Sequence, residues 1–148
     1  MTKNDNIKII KFRYNNIKYH HISNNIRCKV FIEEQGVPSE LEYDGQDAYA
    51  THYLLFYNDV PIGTARWRIT DKGVKLERFA VLREYRNSGI GKTLLESVLD
   101  DAIDEKKKIY LHAQEKAVNY YKRAGFEIIG EAFIEAGIKH LKMIYIGV

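Results

Sequence analysis

The stretch from Val74 to Ala113 most constrains what this chain can fold into. Val74 to Leu82, entered through the turn at Lys72-Gly73, reads as a strand. Apolar residues then recur at Ile90, Leu94, Leu95, Val98, Leu99, Ala102 and Ile103, the stripe of an amphipathic helix. Ile109-Tyr110-Leu111-His112-Ala113 reads as the next strand. Two strands joined by a helical crossover are expected to run parallel in one sheet. The turn between the first strand and the helix is Arg86-Asn87-Ser88-Gly89-Ile90-Gly91-Lys92-Thr93. A nucleoside-triphosphate loop ending in Gly91-Lys92-Thr93 needs its first glycine at position 86, which is Arg86. A dinucleotide fingerprint starting at Gly89 needs a small residue at position 94, which is Leu94. What remains is Arg-x-x-Gly-x-Gly at a strand-to-helix turn. Its glycines let backbone N–H groups approach a ligand, and the helix start favours an anion. Arg86 adds charge-assisted hydrogen bonds to the same anion. A plain glycine-containing helix start satisfies these residues equally well, so the turn alone leaves both readings open.

The rest of the chain supplies the frame. Ile7 to Phe12 is expected as the first strand. Ile17, Ile22, Ile26, Val30 and Phe31 recur at helical spacing and predict a helix over 16–34, stopped by Gly36-Val37-Pro38. Pro38 to Asp47 reads as a polar connection. Ala50 to Tyr57, Ile62 to Thr70 and Val74 to Leu82 read as an antiparallel meander, turned at Asn58-Asp59 and at Lys72-Gly73. A short helix from about Glu115 to Ala124 is ended by Gly125. Phe126 to Phe133 and Ile138 to Tyr145 are the last two strands. No linker or internal repeat interrupts the 148 residues, so a single domain over 1–148 is expected. The fold class is α+β (mixed α/β), with a mostly antiparallel twisted sheet of six to seven strands, one parallel pair and flanking helices.

Composition excludes several classes. A net charge of +3 without a basic cluster argues against a nucleic-acid or membrane partner. One cysteine, Cys28, forbids an internal disulfide, and it is expected as a buried small hydrophobe rather than a nucleophile. No apolar run approaches the ~20 residues of a membrane span, and the start has no signal-peptide pattern. A cytoplasmic protein is expected. The histidines, including His20-His21 on different helix faces, show no metal-ligand spacing.

Arg86, Gly89 and Gly91 after LERFAVLREY, followed by AVNYYKRAGF (117–126), resemble the GCN5-related N-acetyltransferase superfamily. The resemblance runs from about Arg27 onward. VFIEEQGV (30–37), HAQ (112–114) and FIEAGIKHLKM (133–143) are similar to its ElaA/YjcF-like subgroup. The resemblance implies that Arg86, Asn87, Ser88, Gly89, Ile90, Gly91 and Lys92 cradle the pyrophosphate of acetyl-CoA. It implies that Phe79, Ala80 and Val81 offer main-chain hydrogen bonds to the pantetheine arm, where a bulge splits the parallel pair. Gln114 takes the place of a cofactor-contacting Asn, and Asn119 is a second candidate. Tyr121 is implied as both a cofactor contact and the proton donor to the leaving thiolate. Helical spacing alone does not separate it from Tyr120.

For the base, GIKHLKM resembles the corresponding stretch of glyphosate N-acetyltransferases and points to His140; imidazole is the commonest general base. Where those enzymes hold an acidic substrate with arginines, this chain has Glu77 and Gln114. An amine-bearing, cationic acceptor is therefore expected, with Glu33, Glu34, Glu77 and Glu135 as candidate pocket acids. The expected activity is acetyl-CoA-dependent N-acetyl transfer to a primary amine of a small molecule or protein, in a ternary complex, by a monomer or homodimer without a metal. The alternative is a non-catalytic acyl-CoA-binding sensor on the same fold.

Overall fold

A computed structural model of the protein describes residues 6–147. The elements in order are β1 (Ile7–Arg13), α1 (Ile17–Arg27), α2 (Ser39–Glu42), β2 (Thr51–Tyr57), β3 (Val60–Thr70), β4 (Gly73–Val81), α3 (Ile90–Ile103), β5 (Ile109–Gln114), α4 (Val118–Arg123), β6 (Phe126–Ile128), β7 (Phe133–Glu135) and β8 (Ile138–Tyr145). The strands form one eight-stranded sheet in the order β1-β2-β3-β4-β5-β8-β6, with β7 also on β8. Neighbours are antiparallel except β4 and β5, the parallel pair expected from the helical crossover.

Three expectations change. The single strand expected over 126–133 is two, because Gly130 at φ +80° turns the chain. β6 and β7 then pair with different parts of β8, which raises the strand count to eight. The helix expected over 16–34 is α1, capped by the Asn16 side chain accepting from Tyr19 N–H at 3.1 Å, followed by a π-helical stretch Cys28–Glu34. Such wide turns are rare and collect at functional sites. The polar connection also contains the short helix α2.

The core has two layers. On one face of the sheet, Ile90, Leu94, Leu95, Val98, Leu99 and Ala102 of α3 pack on Leu55, Ile62, Val74, Leu76, Leu111 and Met143. Ile103, expected in that stripe, is exposed where the helix runs out. On the other face Ile26 and Val30 pack on Phe12, Leu54 and Ala80. The helices thus clamp β4 from both sides and fix the point where it leaves β5.

Candidate active site

β4 and β5 pair only at Val74 with Ile109, Lys75 with Tyr110 and Leu76 with Leu111. Between the Thr64–Ala80 and Arg66–Glu77 pairs, β4 carries one more residue than β3. Arg78 in this bulge takes φ +57°, a conformation uncommon outside glycine. A bulge bends its strand and sharpens its twist. β4 therefore swings away from β5 and leaves a cleft of about 700 Å³. Phe79, Ala80 and Val81 line one wall, and His112, Ala113 and Gln114 line the other.

The glycine turn stands at the mouth of this cleft. Asn87 (φ +61°) and Gly89 (φ +83°) are both left-handed, and Gly89 caps α3. Thr93 N–H donates to Gly89 O at 3.1 Å, so the amides of Ile90 and Gly91 come before the first closed helical turn. They face outward at the positive end of the helix dipole. A methyl on Gly89 would meet nothing within 4 Å, and one on Gly91 only the Tyr120 phenol, its oxygen 3.4 Å away. The turn thus presents open backbone. Ser88 Oγ donates to Tyr85 O at 2.6 Å and helps shape it. Lys92 is highly exposed and lies 4.0 Å from Glu96, one helical turn on.

Arg86 Nε donates to Val81 O at 2.8 Å, while Nη1 and Nη2 donate to the two Glu34 oxygens at 2.9 and 2.8 Å. An anion is therefore already seated on the guanidinium expected to hold phosphate. The Arg86 hydrogen bond holds the Glu34 carboxyl below its ordinary range. Glu34 ends the π-helical stretch, and next to it Gln35 Oε1 accepts from Gln114 Nε2 at 2.9 Å, bridging the cleft.

Tyr121 and Tyr120 both reach the cleft from α4. Their rings meet edge to face at 5.0 Å, and Tyr121 also packs on Phe126 at 5.9 Å. Burial pushes the Tyr121 hydroxyl up to about 12. That hydroxyl has no hydrogen-bond partner among the described residues. Asn119 is exposed and stands outside the cleft.

His140 sits opposite Gln114 in the β5–β8 ladder and is buried at 7% exposure. Its Nδ1–H donates to Ile138 O at 2.7 Å, which assigns the free lone pair to Nε2. Nε2 lies 3.7 Å from Glu135 Oε2, and the ring stacks on Phe133. The other Glu135 oxygen accepts from His112 Nδ1 at 3.2 Å. This contact, ahead of an opposing burial effect and the charges of Lys75 and His140, lowers the Glu135 carboxyl below its ordinary range.

The far wall carries a buried charge network. Arg66 donates to Asp44, Asp47 and Glu77, and Arg27 bonds Glu42 and Asp47. Glu77 also binds Arg68 at 2.8 Å and Lys75 at 3.2 Å. Burial raises the Glu77 carboxyl, but Arg68, Arg66 and Lys75 together outweigh it and hold the group at about 2.

Of the four candidate pocket acids, Glu77 and Glu135 line the cleft, whereas Glu33 and Glu34 do not. Glu33 accepts a 3.6 Å contact from the Cys28 thiol. Cys28 is half-exposed rather than buried, while Ile26 and Val30, two residues to either side, take the places that pack on the sheet. Sequence reading missed His112, Arg68 and Lys75 as cleft residues. The alternation Arg66/Arg68 and Lys75/Glu77 inside two apolar strands was the available signal, since same-face residues recur every second position. Among the described residues, no group of three or more His, Cys, Asp or Glu is placed to hold a metal ion. No helix among them is long and apolar enough to cross a membrane.

A bulged strand, an open glycine turn at a helix start and a cleft between two splayed parallel strands define an acyltransferase of the GNAT class. The family model for the acetyltransferase (GNAT) domain matches residues 12–146, and the chain belongs to that family. It is 37% identical over 120 residues to the uncharacterized N-acetyltransferase YjcF of Bacillus subtilis, covering 80% of this chain and 86% of that one. It is 31% identical over 125 residues to protein ElaA of Escherichia coli, covering 80% and 81%. The crystal structure of Escherichia coli ElaA superposes with a TM-score of 0.85 at 26% identity, covering 94% of this chain and 99% of that chain.

Proposed function

We propose that this chain transfers an acetyl group from acetyl-CoA to a primary amine held in the same cleft. The carrying observation is the cleft itself: an anion-ready turn at its mouth, bare strand backbone along one wall, and Tyr121 and His140 both lining it. A structurally similar GNAT acetyltransferase from Elizabethkingia anophelis has acetyl-CoA bound (TM-score 0.66, 22% identity, 95% of each chain covered), which supports the same donor here.

The residues fit the donor. The amides of Ile90 and Gly91 and the Arg86 guanidinium would take the pyrophosphate, and Phe79, Ala80 and Val81 would bond the pantetheine amides as an added strand. Acetyl-CoA supplies a thioester, an acyl carbon with a good leaving group. His140 Nε2 accepts a proton from the acceptor ammonium, which frees the nitrogen lone pair for the C–N bond. A β4 amide in the bulge stabilises the negative charge that grows on the carbonyl oxygen. As the C–S bond breaks, Tyr121 donates its proton to sulfur, and the second proton that the acylated nitrogen sheds restores the phenol. With its hydroxyl held at about 12, Tyr121 stays protonated at neutral pH and ready to donate.

The test combines coenzyme A calorimetry with a thiol-release screen over amines and amino acids. Submillimolar coenzyme A binding and amine-dependent thiol release are expected. Binding without turnover over the whole panel would favour the acyl-CoA sensor, and no binding would end both readings.

A further inference from the structure

We infer that the acceptor carries an anionic group, a carboxylate, close to its reactive amine; the inference rests on the acetyl-transfer reading above. On the wall formed by β3, β4 and the 42–47 segment, five cations meet four acids. The cations are Arg27, Arg66, Arg68, Lys75 and Arg78; the acids are Glu42, Asp44, Asp47 and Glu77. Every acid there has at least two cationic partners. Glu42 is bound by Arg27 and Arg78, Asp44 by Arg66 and Arg78, and Asp47 by Arg27 and Arg66. Glu77 is bound by Arg66, Arg68 and Lys75. None has charge to spare for a substrate ammonium.

The surplus is positive, and it faces the cleft. Arg78 pairs with Glu42 and Asp44 and turns Nη2 to the carbonyls of Leu41 and Glu42, while its Nη1 has no partner among the described residues. Arg68 uses Nε and Nη2 on Glu77, which leaves Nη1 without a partner among the described residues. Among the described residues Lys75 has Glu77 as its one ion-pair partner, with Glu135 acting on it at longer range. Arg68 and Lys75 remain 20% and 15% exposed, and both line the cleft. Two cations sharing one buried carboxylate form a seat for a second carboxylate, and Arg68 can offer it a directed N–H.

Among the described residues Glu135 is the one cleft acid without an arginine partner, and it lies within electrostatic reach of Lys75. It is 46% exposed and leans on His112 and His140. An acceptor ammonium can rest on Glu135 before His140 takes its proton. The cleft therefore carries both signs, with a negative point beside the base and a positive pair on the β3–β4 wall. That pattern matches a zwitterion such as a free amino acid. It does not match a polyamine, which would set cations against Arg68 and Lys75.

Each amino acid is compared with its C-terminal amide by thiol release. Thermal protection of the coenzyme A-loaded protein by N-acetyl amino acids, compared with their amides, gives a second readout. Free carboxylates are expected to win by at least tenfold in kcat/KM, and only acid-form products to protect. Lys75→Gln and Arg68→Gln should erase the preference through KM with coenzyme A affinity unchanged, and Arg68→Lys should keep most of it. Amides used as well as acids, or turnover confined to polyamines, overturns the carboxylate seat while leaving acetyl transfer intact. Silence toward every amine overturns both.

Discussion

Replacing Glu34 with glutamine keeps the side-chain shape and removes the charge seated on Arg86. In the free protein the Glu34 carboxylate holds both terminal nitrogens of Arg86, at 2.8 and 2.9 Å. Arg83 adds a looser contact at 3.6 Å. If pyrophosphate takes over that guanidinium, the Glu34 pair must break on binding. The two side chains are 21% and 36% exposed, so the pair is screened by solvent. Exposed ion pairs contribute about 0.2–1 kcal/mol. Removing a competitor of that size should tighten coenzyme A binding by roughly 1.5- to fivefold, since 1.4 kcal/mol is tenfold. The gain should be largest at low salt and shrink as the screening length falls from ~10 Å at 0.1 M toward ~3 Å at 1 M. Calorimetric titration of wild type, Glu34→Gln and Arg86→Gln at two salt concentrations measures it. Arg86→Gln should weaken binding. Weaker binding by Glu34→Gln at low salt would refute the competition and make Glu34 a residue that positions Arg86 for phosphate.

Gly91→Ala should leave the melting temperature unchanged or slightly raised, because its methyl meets only the Tyr120 phenol at 3.4 Å and alanine favours helix. It should weaken coenzyme A about tenfold by covering the amides; scanning fluorimetry and calorimetry separate the two effects. Tyr121→Phe removes a hydroxyl without a partner among the described residues, so stability and coenzyme A affinity should hold while kcat falls about 10²-fold in the thiol-release assay. Thermal melts against pH should show acid instability in two stages. His20 and His52 have folded pKa values lowered by burial from 6.5, so stability falls first as pH drops below 6.5 and the unfolded chain takes up protons. Asp44 and Glu77, held at about 2, add stability above pH ~4 that is lost as pH falls toward 2.

The glycine turn that stands at the cleft mouth was legible because its determinants are contiguous. Arg86, Gly89 and Gly91 lie within six residues and act through backbone geometry that the glycines announce. The parallel pair followed from the α3 stripe, which needs only local periodicity. The boundary errors were local too. Gly130 broke a run that reads as continuous strand, and the π-helical turns after Arg27 keep apolar spacing close enough to α-helical to pass for it. Neither event leaves a mark in hydrophobic pattern alone.

The acceptor half is a different kind of problem. Glu77 read as a spare acid because its neighbours in sequence, Leu76 and Arg78, say nothing of Arg66, Arg68 and Lys75 converging on it. Arg66 and Arg68 belong to β3, and they meet Glu77 only through a register fixed by a bulge. Asp44 and Asp47 come from an irregular segment with no period to read, yet they absorb most of the charge of Arg66. A substrate pocket's sign is the remainder after such pairing, so a count of acids near a motif can give the wrong sign. Here five cations and four acids leave a positive remainder on Arg68 and Lys75, and among the described residues Glu135 is the cleft acid that no arginine neutralises. On the carboxylate-seat proposal, the acceptor's chemistry follows from which charges remain unspent in the fold.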